Sequence, residues 1–271
     1  MQQHNVILFG ESGSGKSSLV NMIVGKNVAE VSGSAEGCTF KNEAFPATIE
    51  NTAFVIYDTA GLNEGDQGRV PHWNAIEELY TLIRQLEGVS LLIYCMRGRV
   101  KENARANWLL FNKIICGEKV PIIAVVTGLE TCEDPDEWWR DEENRNVLAK
   151  NHMKPKAVGC VVSFPGRRDE YAEIYVKSQG KLRDLIIRNH LRRPWCEEKN
   201  KWFASIYSET LSSGLCFNTR SRMEYNERMR GMINEFVEET GMEKEDSKQL
   251  DDTLLRAEKK SRKGTFRKVS Q

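Results

Sequence analysis

Residues 5–24 read NVILFGESGSGKSSLVNMIV and hold the strongest structural signal in the chain. The apolar run at 5–9 predicts a buried strand, and residues 18–24 predict the start of a helix. Between them, Gly10–Ser17 (GESGSGKS) has the G-x-x-x-x-G-K-S spacing, in which successive backbone N–H groups point inward at a phosphate. A Gly/Ser turn that matches this spacing by chance is disfavoured by the strand–loop–helix context.

Each residue type in this loop has a chemical reason to be there. The glycines let the backbone curl, and the helix N-terminus adds its positive dipole end at the same place. Lys16 is expected to supply a cation for the outer phosphates, and the Ser17 hydroxyl suits Mg²⁺. We therefore expect a phosphate site made of Gly10, Glu11, Ser12, Gly13, Ser14, Gly15, Lys16, Ser17 and Ser18.

Composition bounds the class of protein. The 271 residues carry 39 Lys and Arg against 39 Asp and Glu, so no global field attracts nucleic acid and no nucleic-acid partner is expected. Seven scattered cysteines without a C-x-x-C pair indicate a reducing compartment. No apolar run approaches the roughly 18 residues of a membrane span, and the chain enters its first strand without room for a signal peptide. We expect a cytoplasmic protein without a transmembrane segment.

Apolar runs alternate with amphipathic ones up to about residue 192. This rhythm predicts an α/β fold with a doubly wound sheet that is mostly parallel and has one antiparallel edge strand. Turn residues Glu50-Asn51 predict a hairpin between 40–49 and 52–58. The other predicted strands are 88–95, 120–127 and 157–162, and the predicted helices are 74–86, 101–115, 135–151 and 171–191.

The rhythm ends near residue 193, which predicts a nucleotide-binding domain at 1–193 and a helical extension at 194–271. The apolar stripe Met229–Val237 either folds back on the domain, which we favour, or binds a partner. The extension closes with a charged, basic tail that we expect to be disordered.

A second motif, Asp58-Thr59-Ala60-Gly61, ends a predicted strand about forty residues after the loop. Asp58 is expected to hold Mg²⁺ through a water, and Gly61 to let the backbone approach the γ-phosphate. The plainer interpretation is a strand-ending turn with a capping Asp. Thr39 lies in the polar segment before the hairpin and either completes the Mg²⁺ shell as part of a nucleotide-ordered switch or belongs to an ordinary surface loop.

The run Thr127-Gly128-Leu129-Glu130 ends the predicted fifth strand. Guanine presents two donors on one edge, and the Glu130 carboxylate accepts both, whereas adenine would leave it unpaired. The alternative is a solvated loop acid. Ser163, after the last strand, offers a backbone N–H to guanine O6.

Taken in chain order, these motifs resemble those of a translation-factor-class GTPase domain. The stretches ILFGESGSGKSSLVNMIVG, YDTAGLNEG, LLIYCMRGR, VTGLE and EWWR are most similar to the septin and immune-associated nucleotide-binding branch, and especially to a group of fungal G-domain proteins. The resemblance covers about residues 4–192. It implies the fold of a P-loop NTPase G domain, GTP and GDP as ligands, Mg²⁺ as cofactor, and GTP hydrolysis assisted by Lys16, Thr39 and Gly61. A switch ordered by nucleotide would also create a surface either for a second copy, giving a homodimer through the nucleotide face, or for another partner.

Two positions depart from the family pattern. The usual guanine motif is Asn/Thr-Lys-x-Asp with the Lys stacked over the base, but here Gly128 replaces the Lys and Glu130 the Asp. Leu62 follows Gly61 where many small GTPases place a water-orienting Gln, so unaided hydrolysis is expected to be slow. A slowly or non-hydrolysing GTP-gated assembly protein is therefore the alternative to a GTPase switch, and an ATP-using P-loop protein is disfavoured.

Overall fold

The computed structural model describes residues 3–29, 43–59, 73–101 and 104–196, and, farther along, residues 231, 236–238, 245, 248–250, 252–254, 256–257 and 260. In this part of the chain, six strands form one sheet in the order β2-β3-β1-β4-β5-β6. The strands are β1 (His4–Gly10), β2 (Glu43–Ile49), β3 (Thr52–Asp58), β4 (Leu91–Arg97), β5 (Ile122–Thr127) and β6 (Ala157–Cys160).

Only the β2–β3 pair is antiparallel within this sheet, and β2 lies at its edge. The turn between these strands occupies Glu50-Asn51, as the hairpin prediction requires. All other pairs are parallel, so the carboxyl ends of β1, β3, β4, β5 and β6 meet at one side of the sheet. The predicted α/β fold is confirmed, and ligand chemistry belongs at that side.

Helices cover both faces of the sheet. Alternate residues of the central strands point to opposite faces and are apolar on both, so each face needs a covering layer. In β1, Val6 and Leu8 pack with the helices at 16–24 and 172–189, whereas Ile7 and Phe9 pack with the helices at 73–85 and 104–109. All four side chains are fully buried. The helices are α1 (Lys16–Val24), α2 (Trp73–Gln85), α3 (Ala104–Leu109), α4 (Glu137–Arg140), α5 (Glu142–Lys150) and α6 (Ala172–Asn189).

Two predicted helices differ from the observed ones. The helix predicted over 101–115 is α-helical only to Leu109 and continues as a π-helix over Leu110–Ile115. The single helix predicted over 135–151 is wrong, because Asp141 has extended backbone angles and separates α4 from α5. The Asp141 carboxylate accepts a hydrogen bond from the Glu143 N–H at 2.8 Å and so caps the new helix.

Residues near the C-terminus pack against the domain. Phe236, Leu250 and Leu254 are buried in the same apolar cluster as α2 and α3. Arg256 and Lys260 approach the Glu77 carboxylate at 3.6 and 3.3 Å. Phe236 therefore packs as the first interpretation of the apolar stripe requires, while the division at residue 193 stays a prediction. None of the described helices is both long and apolar enough to span a membrane.

Candidate nucleotide site

The loop between β1 and α1 has the shape of a phosphate cradle. Gly13 and Gly15 have φ angles of 72° and 90°, which glycine adopts without steric cost. The Lys16 side chain folds back along the loop, and its ammonium donates hydrogen bonds to the carbonyl oxygens of Gly10 at 3.2 Å and Glu11 at 2.9 Å. Lys16 is buried, so its ammonium stays beside the loop and is little exposed to solvent.

The first glycine of the cradle lies against the neighbouring strand β4. A Cβ on Gly10, whose φ is 147°, would come well inside 3.0 Å of the Cys95 carbonyl oxygen, a backbone atom that cannot move aside. A Cβ on Gly13, at the exposed tip, would meet nothing within 4 Å. Close packing of loop and sheet thus depends on glycine at position 10, whereas position 13 needs it only for the backbone angle.

This contrast yields a stability prediction. We expect Gly10→Ala to lower the free energy of unfolding by about 2–4 kcal/mol, because the added methyl group forces the loop away from β4. Gly13→Ala is the matched control, with a loss near 1 kcal/mol from the positive φ alone. Urea unfolding of both variants measures the difference, and equal losses would contradict the close contact at Gly10.

Ser17 and Asp58 meet beside the cradle because β3 is the parallel neighbour of β1, with Asp58 opposite Leu8. The Ser17 hydroxyl donates to one Asp58 carboxylate oxygen at 2.7 Å, and the other oxygen, which is buried, makes no hydrogen bond with any described residue. Burial raises the pKa of Asp58, and this rise is opposed by the Ser17 hydrogen bond and the Lys16 charge. A buried carboxylate oxygen without a partner beside a hydroxyl is a donor set that suits Mg²⁺.

Thr127 joins the cradle to two strands. Its hydroxyl lies 2.8 Å from the Ser14 carbonyl oxygen and 3.3 Å from that of Met96. A Cβ on Gly15 would lie 3.1 Å from the same hydroxyl, so the loop and the end of β5 are packed closely. These contacts position the cradle, and a direct contact between Thr127 and nucleotide stays a prediction.

The two predicted base-reading residues follow adjacent strands. Glu130 lies half-buried in the turn after β5, and Ser163 lies buried after β6. The parallel register of β5 and β6 brings Val126 opposite Cys160, so both residues lie at the same edge of the sheet as the cradle. Their contact with a base stays a prediction. Ser18 is half-buried in the first turn of α1, and its contact with phosphate also stays a prediction.

Three further expectations fall outside the described residues. Thr39, Gly61 and Leu62 lie in the segments 30–42 and 60–72. The switch role of Thr39, the γ-phosphate contact of Gly61 and the consequence of Leu62 therefore stay predictions. Thr59, the last described residue before the second segment, donates its hydroxyl hydrogen to the Leu8 carbonyl oxygen at 2.7 Å and so fixes the end of β3 against β1.

Sequence reasoning missed the contribution of Lys101, in the segment after β4. The Lys101 ammonium pairs with the Glu11 carboxylate at 2.6 Å, so this segment reaches the tip of the cradle. A cavity of about 120 Å³ lies between this segment and the cradle, and its lining includes Arg97 and Arg99. Lysine and arginine at four positions between 97 and 105 were the available sequence signal.

A larger cavity of about 480 Å³ lies elsewhere, between the segment before α4 and the helix α6. No cradle residue lines it, and Lys181 and Asp136 in its wall pair with each other. We therefore do not assign this cavity as the nucleotide site, although it is larger than the cavity beside the cradle.

Comparison with known proteins agrees with this geometry. The family model described as 50S ribosome-binding GTPase matches residues 5–127. Immune-associated nucleotide-binding protein 12 of Arabidopsis thaliana is 27% identical over 153 residues, which is 55% of this chain. The match spans only 39% of that relative's length.

Two solved structures give the same architecture at low identity. One belongs to work on dimerization and the GTPase activity of the chloroplast translocon components atToc33 and psToc159, with a TM-score of 0.53 and 22% identity over 72% of this chain and 87% of that one. The other is Arabidopsis thaliana Toc33 with Mg²⁺ and GMPPNP, with a TM-score of 0.50 and 21% identity over 70% and 87%. The chain has the G-domain fold of the P-loop GTPases.

Proposed function

We propose that this protein binds GTP with Mg²⁺, hydrolyses it to GDP and acts as a nucleotide-gated switch. The observation that carries the proposal is the meeting of Lys16, Ser17 and Asp58 at one phosphate cradle. The family match at residues 5–127, and the guanine-nucleotide and Mg²⁺ complex of Toc33, support the same ligands.

The chain's own groups would act on the phosphates as follows. The backbone N–H groups of residues 13–17 and the Lys16 ammonium bind the phosphate oxygens and neutralise the charge that develops during transfer. Ser17 and Thr39 hold the metal, with Asp58 behind them, and bound Mg²⁺ supplies further neutralisation of phosphate charge. Gly61 brings a backbone N–H to the γ-phosphate.

Turnover by the isolated chain is expected to be slow. Leu62 has no polar group to orient the attacking water. Dimerization matters for the GTPase activity of the chloroplast translocon components. We propose by analogy that this chain pairs through its nucleotide face and that pairing raises its rate. A GTP-gated assembly protein with little turnover is the second candidate, favoured by the same leucine.

The remaining assignments belong to the same proposal. The domain at 1–193 carries the nucleotide site, and the segment at 194–271 is a helical extension with a basic tail. The protein acts in the cytoplasm. Within the GTPase class, we place it near the septin-like and immune-associated branch and its fungal G-domain proteins, on the motifs quoted above.

The decisive experiment compares binding of GTP and ATP in the presence of Mg²⁺ and then measures turnover at several protein concentrations. GTP-selective binding with a specific activity that rises with concentration supports the pairing GTPase. Tight GTP binding without turnover favours the gated-assembly candidate. A preference for ATP, or no nucleotide binding, overturns the proposal.

Glu130 gives the prediction for base selectivity. We expect Glu130→Ala to reduce the preference for GDP over ADP by about 100-fold, because the guanine N1 and N2 donors lose a charged acceptor. Glu133→Ala, three residues farther along the same loop, is the control and should keep the preference. Competition titration against a fluorescent GDP analogue measures both. An unchanged preference in Glu130→Ala would assign base reading to another group.

A further inference from the structure

Gly128 occupies the position at which the usual guanine motif has a lysine. It follows β5 directly and has a φ of 76°. A lysine there would lay its stem and charge over the bound base. The absence of a side chain at position 128 therefore removes one wall of the expected base site, unless another residue fills the space.

Arg97 fills that space. It is the last residue of β4 and pairs in register with Thr127, the last residue of β5. A Cβ built on Gly128 would lie 2.6 Å from Arg97 Cγ, 2.9 Å from its Nε and 3.3 Å from its Cδ. The arginine side chain thus lies across the glycine, in the volume that a side chain at position 128 would take.

The Arg97 side chain also borders the cradle. It lines the 120 Å³ cavity together with Ser12, Gly13 and Ser14. Arg97 is exposed, and its guanidinium makes no hydrogen bond or ion pair with the residues that the structure describes. Arg97 thus places a planar cation, without a partner among the described residues, between the phosphate loop and the turn that leads to Glu130.

We propose that Arg97 replaces the missing lysine, with its stem on Gly128 and its guanidinium stacked on the face of the bound purine. The inference rests on the proposed nucleotide function and adds a residue to it. A guanidinium stacks on aromatic faces as well as carrying charge. Such stacking strengthens binding of any purine, because every purine has a π-face, and it leaves the reading of guanine to Glu130.

The test compares equilibrium affinities of GDP and inosine diphosphate, which lacks the guanine 2-amino group, at low protein concentration. We expect Arg97→Ala to weaken both by the same factor, about 5- to 20-fold. Glu130→Ala should weaken GDP more than inosine diphosphate. Losses for Arg97→Ala that differ between the two ligands would overturn the stacking role, because stacking does not read the 2-amino group.

A phosphate contact by Arg97 is the competing explanation, and Mg-pyrophosphate separates the two. Displacement of fluorescent GDP by pyrophosphate measures its affinity for the cradle without a base. Stacking predicts the same pyrophosphate affinity in wild type and Arg97→Ala. A pyrophosphate affinity that falls as much as the GDP affinity would assign Arg97 to the phosphates and overturn the proposal.

Two further variants test the position itself. Arg97→Ala combined with Gly128→Lys should bind GDP more tightly than Arg97→Ala alone, because the lysine then has the space that the arginine left. The recovery is expected to be partial, because the φ of 76° at position 128 strains the backbone of any residue except glycine. Arg99→Ala, which removes an equal charge from the same segment, should lose less than about twofold. An equal loss in Arg99→Ala would show that only the charge of the segment matters. Wild-type protein that binds no purine nucleotide would instead refute the underlying function.

Discussion

Lys16→Met should weaken GDP and GTP binding by about 100-fold or more and reduce GTP turnover at least as much. The methionine keeps most of the buried stem, so the variant removes the charge rather than the packing. In the present structure the ammonium is held by the carbonyl oxygens of Gly10 and Glu11. The same charge would neutralise the outer phosphates, and no other described cation is buried within the cradle.

Isothermal calorimetry with GDP measures the affinity, and thermal unfolding monitored by circular dichroism checks that the variant folds. Lys26→Met removes an equal charge at an exposed position just after α1 and should bind GDP like the wild type. A Lys16→Met protein that folds and binds GDP within twofold of wild type would refute the assignment of the cradle as the phosphate site.

Asp58→Asn should abolish most of the dependence of GTP affinity on Mg²⁺. Chelation with EDTA is expected to weaken GTP binding to the wild type by about tenfold or more, and to the variant by less than about threefold. The substitution keeps the shape of the side chain and its capacity to accept the Ser17 hydrogen bond. It removes the negative charge of a buried carboxylate. Among the described residues, the Ser17 hydroxyl and the Lys16 ammonium stabilise that charge.

The readout for Asp58→Asn is the ratio of GTP affinities with and without free Mg²⁺, measured by fluorescence competition. Asp184→Asn on α6 removes an exposed acid that pairs with Arg188 and should leave the ratio unchanged. A ratio in Asp58→Asn as large as in the wild type would mean that the metal is held by other residues.

Most of the cradle could be predicted from the sequence because its signals are local. The glycine spacing, the apolar run before it and the helix after it lie within twenty residues, and each acts through backbone geometry alone. The mostly parallel sheet with one antiparallel edge strand followed from the same kind of evidence, since buried parallel strands are continuous apolar runs. The position of Asp58 at the end of β3 was likewise predictable from strand and turn signals.

The helix over 135–151 was predicted incorrectly for a local reason that competes with periodicity. Asp141, Glu142 and Glu143 form a helix N-terminus, in which the aspartate caps and the two glutamates favour the positive dipole end. Residues 140–146 (RDEENRN) hold no apolar side chain, so periodicity does not decide whether the helix continues through this point.

Sequence by itself determined the fold class and the loop at Gly10–Ser17, because their signals lie in the spacing of residues that are close together in the chain. Only the tertiary structure decided that Arg97 covers Gly128, that Lys101 pairs with Glu11, and that Thr127 ties Ser14 to the sheet. The residues in these contacts are 31 to 113 positions apart in the chain, from Arg97 and Gly128 at one extreme to Ser14 and Thr127 at the other. The register of β1 with β4, and of β4 with β5, brings these residues together although they are far apart in the chain.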